Sequence, residues 1–287
     1  MKKYIPYGCV LAAGILWGLI GIFNRALTAA GLTAGSIVLV RNMGGLILLG
    51  LLFLLTDRSV FKIQWKHLPI FFGTGVVSVL LFTLCYFSCQ QMCSLAVAAA
   101  LLYTSPAFVV VLSAILWKDK ITGRKLFALL AAFLGCTFVT GLWSGNLTVT
   151  VWGAVLGVAS GFFYGLYSIF GRYGLTHYPP FTVTFYTFAF AGLSSMAMLR
   201  PSELAACFGG NPAMIWVALG LVVISTVGPY LLYTKGLAGL DSGKAAILAS
   251  VEPVVAALVG VLAFHEPMNI TVILGLACIL ISVYILR

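Results

Sequence analysis

The sequence predicts an all-α integral membrane protein. Ten transmembrane helices form two inverted five-helix repeats, with both termini inside. Three observations carry this prediction: a lipid-compatible composition, ten apolar stretches with the cations gathered on one side, and a match of the chain to itself. Of the 287 residues, 62% are hydrophobic and 8% charged, against roughly 45–50% and 25% in a soluble domain. Mean hydropathy is +1.13. Too few polar side chains exist to cover a water-facing surface, so the solvent for most of this chain is lipid. Disorder, collagen and disulfide-rich secreted scaffolds are excluded. A net charge of +10 fits a basic membrane protein, with too few charges to line a nucleic-acid face.

A helix needs roughly 20 apolar residues to cross about 30 Å of hydrocarbon. Span one covers 5–28. Lys2 and Lys3 precede it as in a signal peptide, but the run exceeds a 7–15-residue signal core, and its Trp17-Gly18 and Asn24-Arg25 features return later in related form. It is read as a retained helix. Span two, 34–55, carries Arg41 about seven residues from its outer end. Span three, 68–90, holds Tyr86; span four, 95–117, holds Tyr103 and Pro106; span five covers 124–143. Span six, 150–173, holds Tyr164, and span seven covers 180–199. Span eight, 212–236, holds Pro229, Tyr230 and Tyr233; span nine, 242–264, holds Glu252-Pro253; span ten covers 270–286. The connections are short, and no soluble domain fits between them.

With ten spans, the termini and the even-numbered connections share one side. Thirteen of the 16 basic residues fall there: Lys2, Lys3, Arg58, Lys62, Lys66, Lys118, Lys120, Arg124, Lys125, Arg172, Lys235, Lys244 and Arg287. Arg25 and Arg200 fall on the other side, and Arg41 lies within a span. Cations mark the cytoplasmic face, so this side is inside.

At a shift of 147 residues the chain partly matches itself. Ala12, Gly14, Gly18, Leu19, Ile22, Phe23 and Arg25 meet Ala159, Gly161, Gly165, Leu166, Ile169, Phe170 and Arg172. Tyr86, Ala98, Ala99, Leu101 and Pro106 meet Tyr233, Ala245, Ala246, Leu248 and Pro253. Two repeats, 1–145 and 146–287, follow. Five spans is an odd number, so the second repeat enters the membrane from the opposite side. Such symmetry suits alternating access about a central site.

These residues resemble the EamA-type members of the drug/metabolite transporter superfamily. The resemblance covers essentially the whole chain. It rests on Ala13-Gly14-Ile15-Leu16-Trp17-Gly18, Arg41 and Ser105-Pro106 in the first half. In the second it rests on Val251-Glu252-Pro253, Phe264-His265-Glu266-Pro267 and Gly275. Lys118-Asp119-Lys120 and Ala128 depart from the family pattern. The resemblance implies a secondary transporter in which spans 1–4 and 6–9 surround a cavity and spans 5 and 10 lie outside it. Family members carry amino acids, nucleotide-related compounds, sugars, quaternary amines and other metabolites, so family alone leaves the substrate open.

Glu252 is the most deeply placed acid, roughly 15 Å from the inner face at 1.5 Å per residue. A carboxylate in lipid must face the interior, be protonated or be paired. It is a candidate coupling or substrate group, or else a structural residue at the Pro253 break. Arg41 is the matching cation. Pro106 and Pro253 free the carbonyls of Leu102 and Ala249, which points to the central site or to simple kinks; Pro229 adds a third break, with no partner in span three. Trp17, Tyr86, Tyr103, Tyr164 and Tyr233 are candidate substrate contacts through ring faces, against ordinary packing. Asn24, Gln90, Gln91, Thr104 and Ser105 offer hydrogen bonds. The glycines spaced by four at 14 and 18, and at 161 and 165, permit close helix approach.

Cys85, Cys89 and Cys93 lie along one helical face too far apart to share a metal ion, and His67, His177 and His265 have no metal spacing. The Gly239–Lys244 stretch misses the phosphate-loop pattern. Asn146-Leu-Thr148 and Asn269-Ile-Thr271 are glycosylation patterns in loops too short to use. No catalytic constellation occurs, so neither enzyme activity nor a cofactor is expected. The expected partners are the bilayer, a small-molecule substrate and a coupling proton, with a monomer as the first choice and a dimer left open. The reading is export of amino acids or related compounds across the cytoplasmic membrane. Uptake of a cationic or quaternary amine through the aromatics and Glu252 is the alternative, and a channel or scaffold the alternative of another class.

Overall fold

The computed structural model describes residues 4–143, 148–265 and 268–286. Lys2, Lys3, Asn146, Glu266-Pro267, Arg287 and the 145/146 repeat boundary lie outside the described residues. Among the described residues all regular structure is helical. The order is α1 (Ile5–Ala29), α2 (Ala34–Thr56), α3 (Trp65–Met92), α4 (Leu95–Trp117), α5 (Gly123–Val139) and α6 (Val151–Leu175). Then follow α7 (Pro180–Met198), α8 (Pro201–Gly210), α9 (Ala213–Leu237), α10 (Ser242–Phe264) and α11 (Ile270–Leu286).

Eight of these are long and apolar enough to cross a membrane, where ten spans are expected. The other two expected spans correspond to α5 and α11. Each has 17 residues, about 25 Å of helix at 1.5 Å per residue. They pack along one another and bury Cys136 and Ile279 in a small apolar cluster.

The principal helix pairings join the two halves of the chain. α1 packs on α9 and α10, α2 on α7, α3 on α6 and α5 on α11. The halves also repeat one another in detail. α4 breaks into Leu95–Leu102 and Ser105–Trp117, and α10 into Ser242–Ala249 and Glu252–Phe264. Each second-half start lies 147 residues after its counterpart. Lys118 and His265, separated by the same interval, end α4 and α10 with left-handed backbones, φ 56° and 54°.

Two features differ from the expected ones. Pro229 has no proline partner in the third membrane segment, but the wide turn ahead of it does have a counterpart there. α9 widens into a π-helical turn at Val223–Val227, ahead of the proline, and α3 does the same at Gly73–Leu80 without one. Hydroxyls stabilise both wide turns: Ser78 Oγ donates to the Gly73 carbonyl and Thr226 Oγ1 to the Leu221 carbonyl, each at 2.9 Å and five residues back. The second feature is α8, which hydropathy does not register because it is short. Pro201 in its first turn and acidic Glu203 beside it are ordinary helix-start signals.

Glu203 fixes α8 to the start of α2. Its carboxylate accepts from Ser36 Oγ at 2.6 Å, Thr33 Oγ1 at 2.8 Å and the Thr33 amide at 3.2 Å. The Ser36 and Thr33 hydroxyls hold its pKa down to about 2. Cys207 of α8 is buried against Leu27, Leu32, Ile37 and Leu221.

Candidate functional site

The site begins with two backbone breaks. Pro106 and Pro253 each occupy the second position of a half-helix, Ser105–Trp117 and Glu252–Phe264. Proline supplies no N–H and clashes with the preceding turn, so the helix stops before each and restarts. The carbonyls of Leu102 and Ala249, predicted to be freed, lie against glycines of the other half. A Cβ at Gly161 of α6 would sit 3.0 Å from the Leu102 oxygen and 2.8 Å from that of Leu101. One at Gly14 of α1 would sit 3.0 Å from the Ala249 oxygen. The glycines thus seat an unbroken helix directly on a broken one, α6 on α4 and α1 on α10.

Between these crossings lies a cavity of about 390 Å³, within the roughly 300–1,000 Å³ usual for small-molecule sites. It extends to Thr28 and Ala34, both exposed, at the α1–α2 connection. At its other end it narrows to a cleft of about 30 Å³ lined by Pro106, Ser105, Tyr167, Ser168 and Tyr233, room for little more than water. Hydrogen bonds between Tyr167 and Thr234 and between Ser168 and Tyr233, both 2.7 Å, close this end. Trp17 packs edge-on against Tyr230 above it, with ring centroids 5.3 Å apart.

Among the described residues two charged ones line the cavity, Arg41 from α2 and Glu252 from α10. Arg41 Nη2 donates to the Tyr230 hydroxyl at 3.4 Å, and Tyr164 Oη donates to Glu252 Oε2 at 3.3 Å. The described ion pairs are Lys125–Asp241, Asp119–Arg172 and Arg200–Glu203, so Arg41 and Glu252 do not pair with one another. Arg41 Nε and Asn24 Oδ1 are buried without a hydrogen-bond partner.

Of the candidates named from sequence, Trp17, Tyr86, Tyr103, Tyr164, Arg41 and Glu252 converge on the large cavity, as do Asn24 and Gln90. Tyr233 lies instead in the closed cleft with Pro106. Tyr86 and Tyr233 are repeat equivalents, and a cavity open at one end reaches only one of them. Pro253 lines a separate groove of about 260 Å³ with Thr140 and Val272, and Pro229 follows the α9 π turn. Gln91 lines none of these spaces, and the Thr104 hydroxyl is spent on the Leu101 carbonyl at 2.6 Å.

Sequence reasoning missed two ion pairs at the end beyond the cleft. Lys125 Nζ meets Asp241 Oδ1 at 2.9 Å. Arg172 pairs with Asp119 while its guanidinium carbon sits 4.5 Å from the Trp117 ring centroid. The available signal was the acids: only 6 exist in the chain, and three of them, Asp57, Asp119 and Asp241, stand in the cation-rich connections. His67 and His177 also meet, stacked with centroids 4.3 Å apart.

The profile of the EamA-like transporter family matches residues 5–141 and again 151–287. An uncharacterized transporter of Archaeoglobus fulgidus is 32% identical over 200 residues, covering 70% of each chain. The uncharacterized inner membrane transporter YicL of Salmonella typhimurium is 25% identical over 96% of this chain and 93% of its own. A solved crystal structure superposes with a TM-score of 0.79 over 98% of this chain and 95% of that one, at 19% identity, a likeness of fold alone.

Proposed function

Because the chain belongs to the EamA-like transporter family, and is a multi-pass membrane transporter rather than an enzyme, we propose that it is a secondary active exporter of amino acids or related small metabolites. The single observation that carries this reading is the central cavity, built by both halves of the chain, extending to an exposed connection at one end and shut at the other. Such a cavity serves alternating access when the shut and open ends exchange.

In this reading ten helices cross the cytoplasmic membrane as two inverted repeats, 1–145 and 146–287, with both termini inside. α5 and α11 cross as short spans, at the modest cost of local bilayer thinning. The cation-rich end, with the Lys125–Asp241 and Asp119–Arg172 pairs, is cytoplasmic, and the cavity faces outward. Glu252 is the coupling group, holding either a proton or the cationic end of a substrate. The aromatic walls favour a second reading, uptake of a cationic or quaternary amine. That reading requires both Glu252→Gln and Trp17→Ala to abolish amine binding, and retained affinity in either variant sinks it.

The test is a thermal-shift screen of the purified protein against amino acids, amines and nucleosides. The best compound is then followed in proteoliposomes with and without a pH gradient. Saturable flux with counterflow is expected. Flux without saturation or counterflow would mark a channel, and no stabilisation by any compound would mark a scaffold.

A further inference from the structure

We propose that the cavity is built for a dipolar substrate: Arg41 takes its carboxylate, Glu252 takes its ammonium, and its side chain is uncharged and apolar. This rests on the transport reading and sharpens it by naming Arg41 as the residue that separates amino acids from amines.

The argument starts from two opposite charges that share a cavity without pairing. An ionised side chain within a membrane protein is costly unless something compensates it. Here each is met by a neutral phenol at the long end of hydrogen-bond range, 3.4 Å at Arg41 and 3.3 Å at Glu252. A guanidinium carries five N–H donors, yet Arg41 makes one described hydrogen bond, and its Nε is buried with no partner. Elsewhere the same chain pairs its buried charges directly, as at Lys125–Asp241. The unpaired state of Arg41 and Glu252 therefore reserves both charges for a ligand.

A ligand with one charge satisfies half of this arrangement. An amine at Glu252 leaves Arg41 uncompensated and adds a like charge to the cavity. An acid at Arg41 leaves Glu252 uncompensated. A zwitterion neutralises both, and a carboxylate accepts two parallel N–H bonds from a guanidinium. Among the described residues no third charged one lines the cavity, so a charged substrate side chain finds no partner there. The cavity walls include Trp17, Phe82, Tyr86 and Tyr103, which suit an apolar or aromatic side chain.

The experiment measures affinity by ligand-induced thermal shift on the purified full-length protein. The probes are the uncharged L-amino acids, the amines formed by their decarboxylation, and their N-acetyl derivatives. In the wild type the best amino acid should bind roughly tenfold to a hundredfold more tightly than its amine or its N-acetyl form, as expected for losing one charged hydrogen-bonding partner. Arg41→Met should bring amino acid and amine to within about threefold, and Arg41→Lys, which keeps the charge but loses the paired donors, should retain part of the preference. Glu252→Gln should remove the discrimination against the N-acetyl form. Equal wild-type affinity for amino acid and amine overturns the inference while leaving the transporter intact, as does binding of another compound class with no amino acid bound. If no compound of any class binds or is carried, the transport reading itself fails.

Discussion

The ion pair between Lys125 and Asp241 offers a quantitative test of how the shut end of the cavity is held. Lys125 lies near the start of α5, and Asp241 immediately precedes α10. Their side chains are 5% and 21% exposed, and the N–O distance is 2.9 Å. The same Asp241 oxygen caps α10 by accepting from the Lys244 amide at 2.9 Å. Removing one partner of a buried pair costs about 3–5 kcal/mol, because the other charge is left uncompensated. Asp241 keeps some contact with solvent, so we expect about 2–3 kcal/mol for Lys125→Met. Asp241→Asn should cost about as much, since asparagine retains the cap but strands the lysine. The double variant buries no unpaired charge and should lose about 1 kcal/mol, giving a coupling of about 3–5 kcal/mol. Unfolding in mixed micelles, at low and high salt, measures all four proteins. The coupling should persist in salt, because buried charges are poorly screened. Costs that add to within about 0.5 kcal/mol would refute the argument that the two charges depend on each other.

Three further outcomes are expected. Gly18→Ala places a Cβ 2.7 Å from the Glu252 carbonyl oxygen and 2.5 Å from Val255 Cβ, so melting should fall by an amount equivalent to about 1–3 kcal/mol; Gly8→Ala, with nothing within 4 Å, serves as the neutral control. For Glu203, whose pKa is lowered from 4.5 to about 2 chiefly by Ser36 and then Thr33, the stabilisation is present above about pH 4.5 and lost as pH falls toward 2. The melting difference between wild type and Glu203→Gln should accordingly shrink over that range, and a constant difference would contradict it. Finally, Ser78→Ala should lower the melting temperature by an amount equivalent to about 1 kcal/mol, through the lost bond to the Gly73 carbonyl; an unchanged melting temperature would show that the π turn does not need its hydroxyl.

The membrane segments were legible because a long apolar run has one stable form in lipid, a helix that satisfies its own backbone. The bounds of α4 and α10, 95–117 and 242–264, coincide with those read from hydropathy. α8 escaped because ten residues beginning Pro-Ser-Glu make no apolar run. The π turn in α3 escaped because no proline announces it and a serine hydroxyl sustains it. Glu252 and Arg41 stood out because charges are expensive in lipid. The partner of Lys125 did not, since Asp241 is 116 residues away in the chain and nothing local joins them. That Tyr233 lines the narrow cleft and Tyr86 the larger cavity was not legible either. Repeat equivalence describes what the halves share, whereas a cavity open at one end is what they do not.

The glycine crossings bear on how such a molecule moves. Gly14 seats α1 of the first half on α10 of the second, and Gly161 seats α6 of the second on α4 of the first. Each contact brings a helix within reach of backbone oxygens, with only the short side chains of Val251 and Thr104 beside them. If the transporter works by the alternating access proposed above, the pieces that would swing as units are therefore not the two copies of the duplicated sequence. Each such piece would be a hybrid that borrows helices from both copies, since α1 packs on α10 and α6 on α4. Cutting the chain at its midpoint would yield not two half-machines but two sets of parts, each lacking the surfaces it turns on.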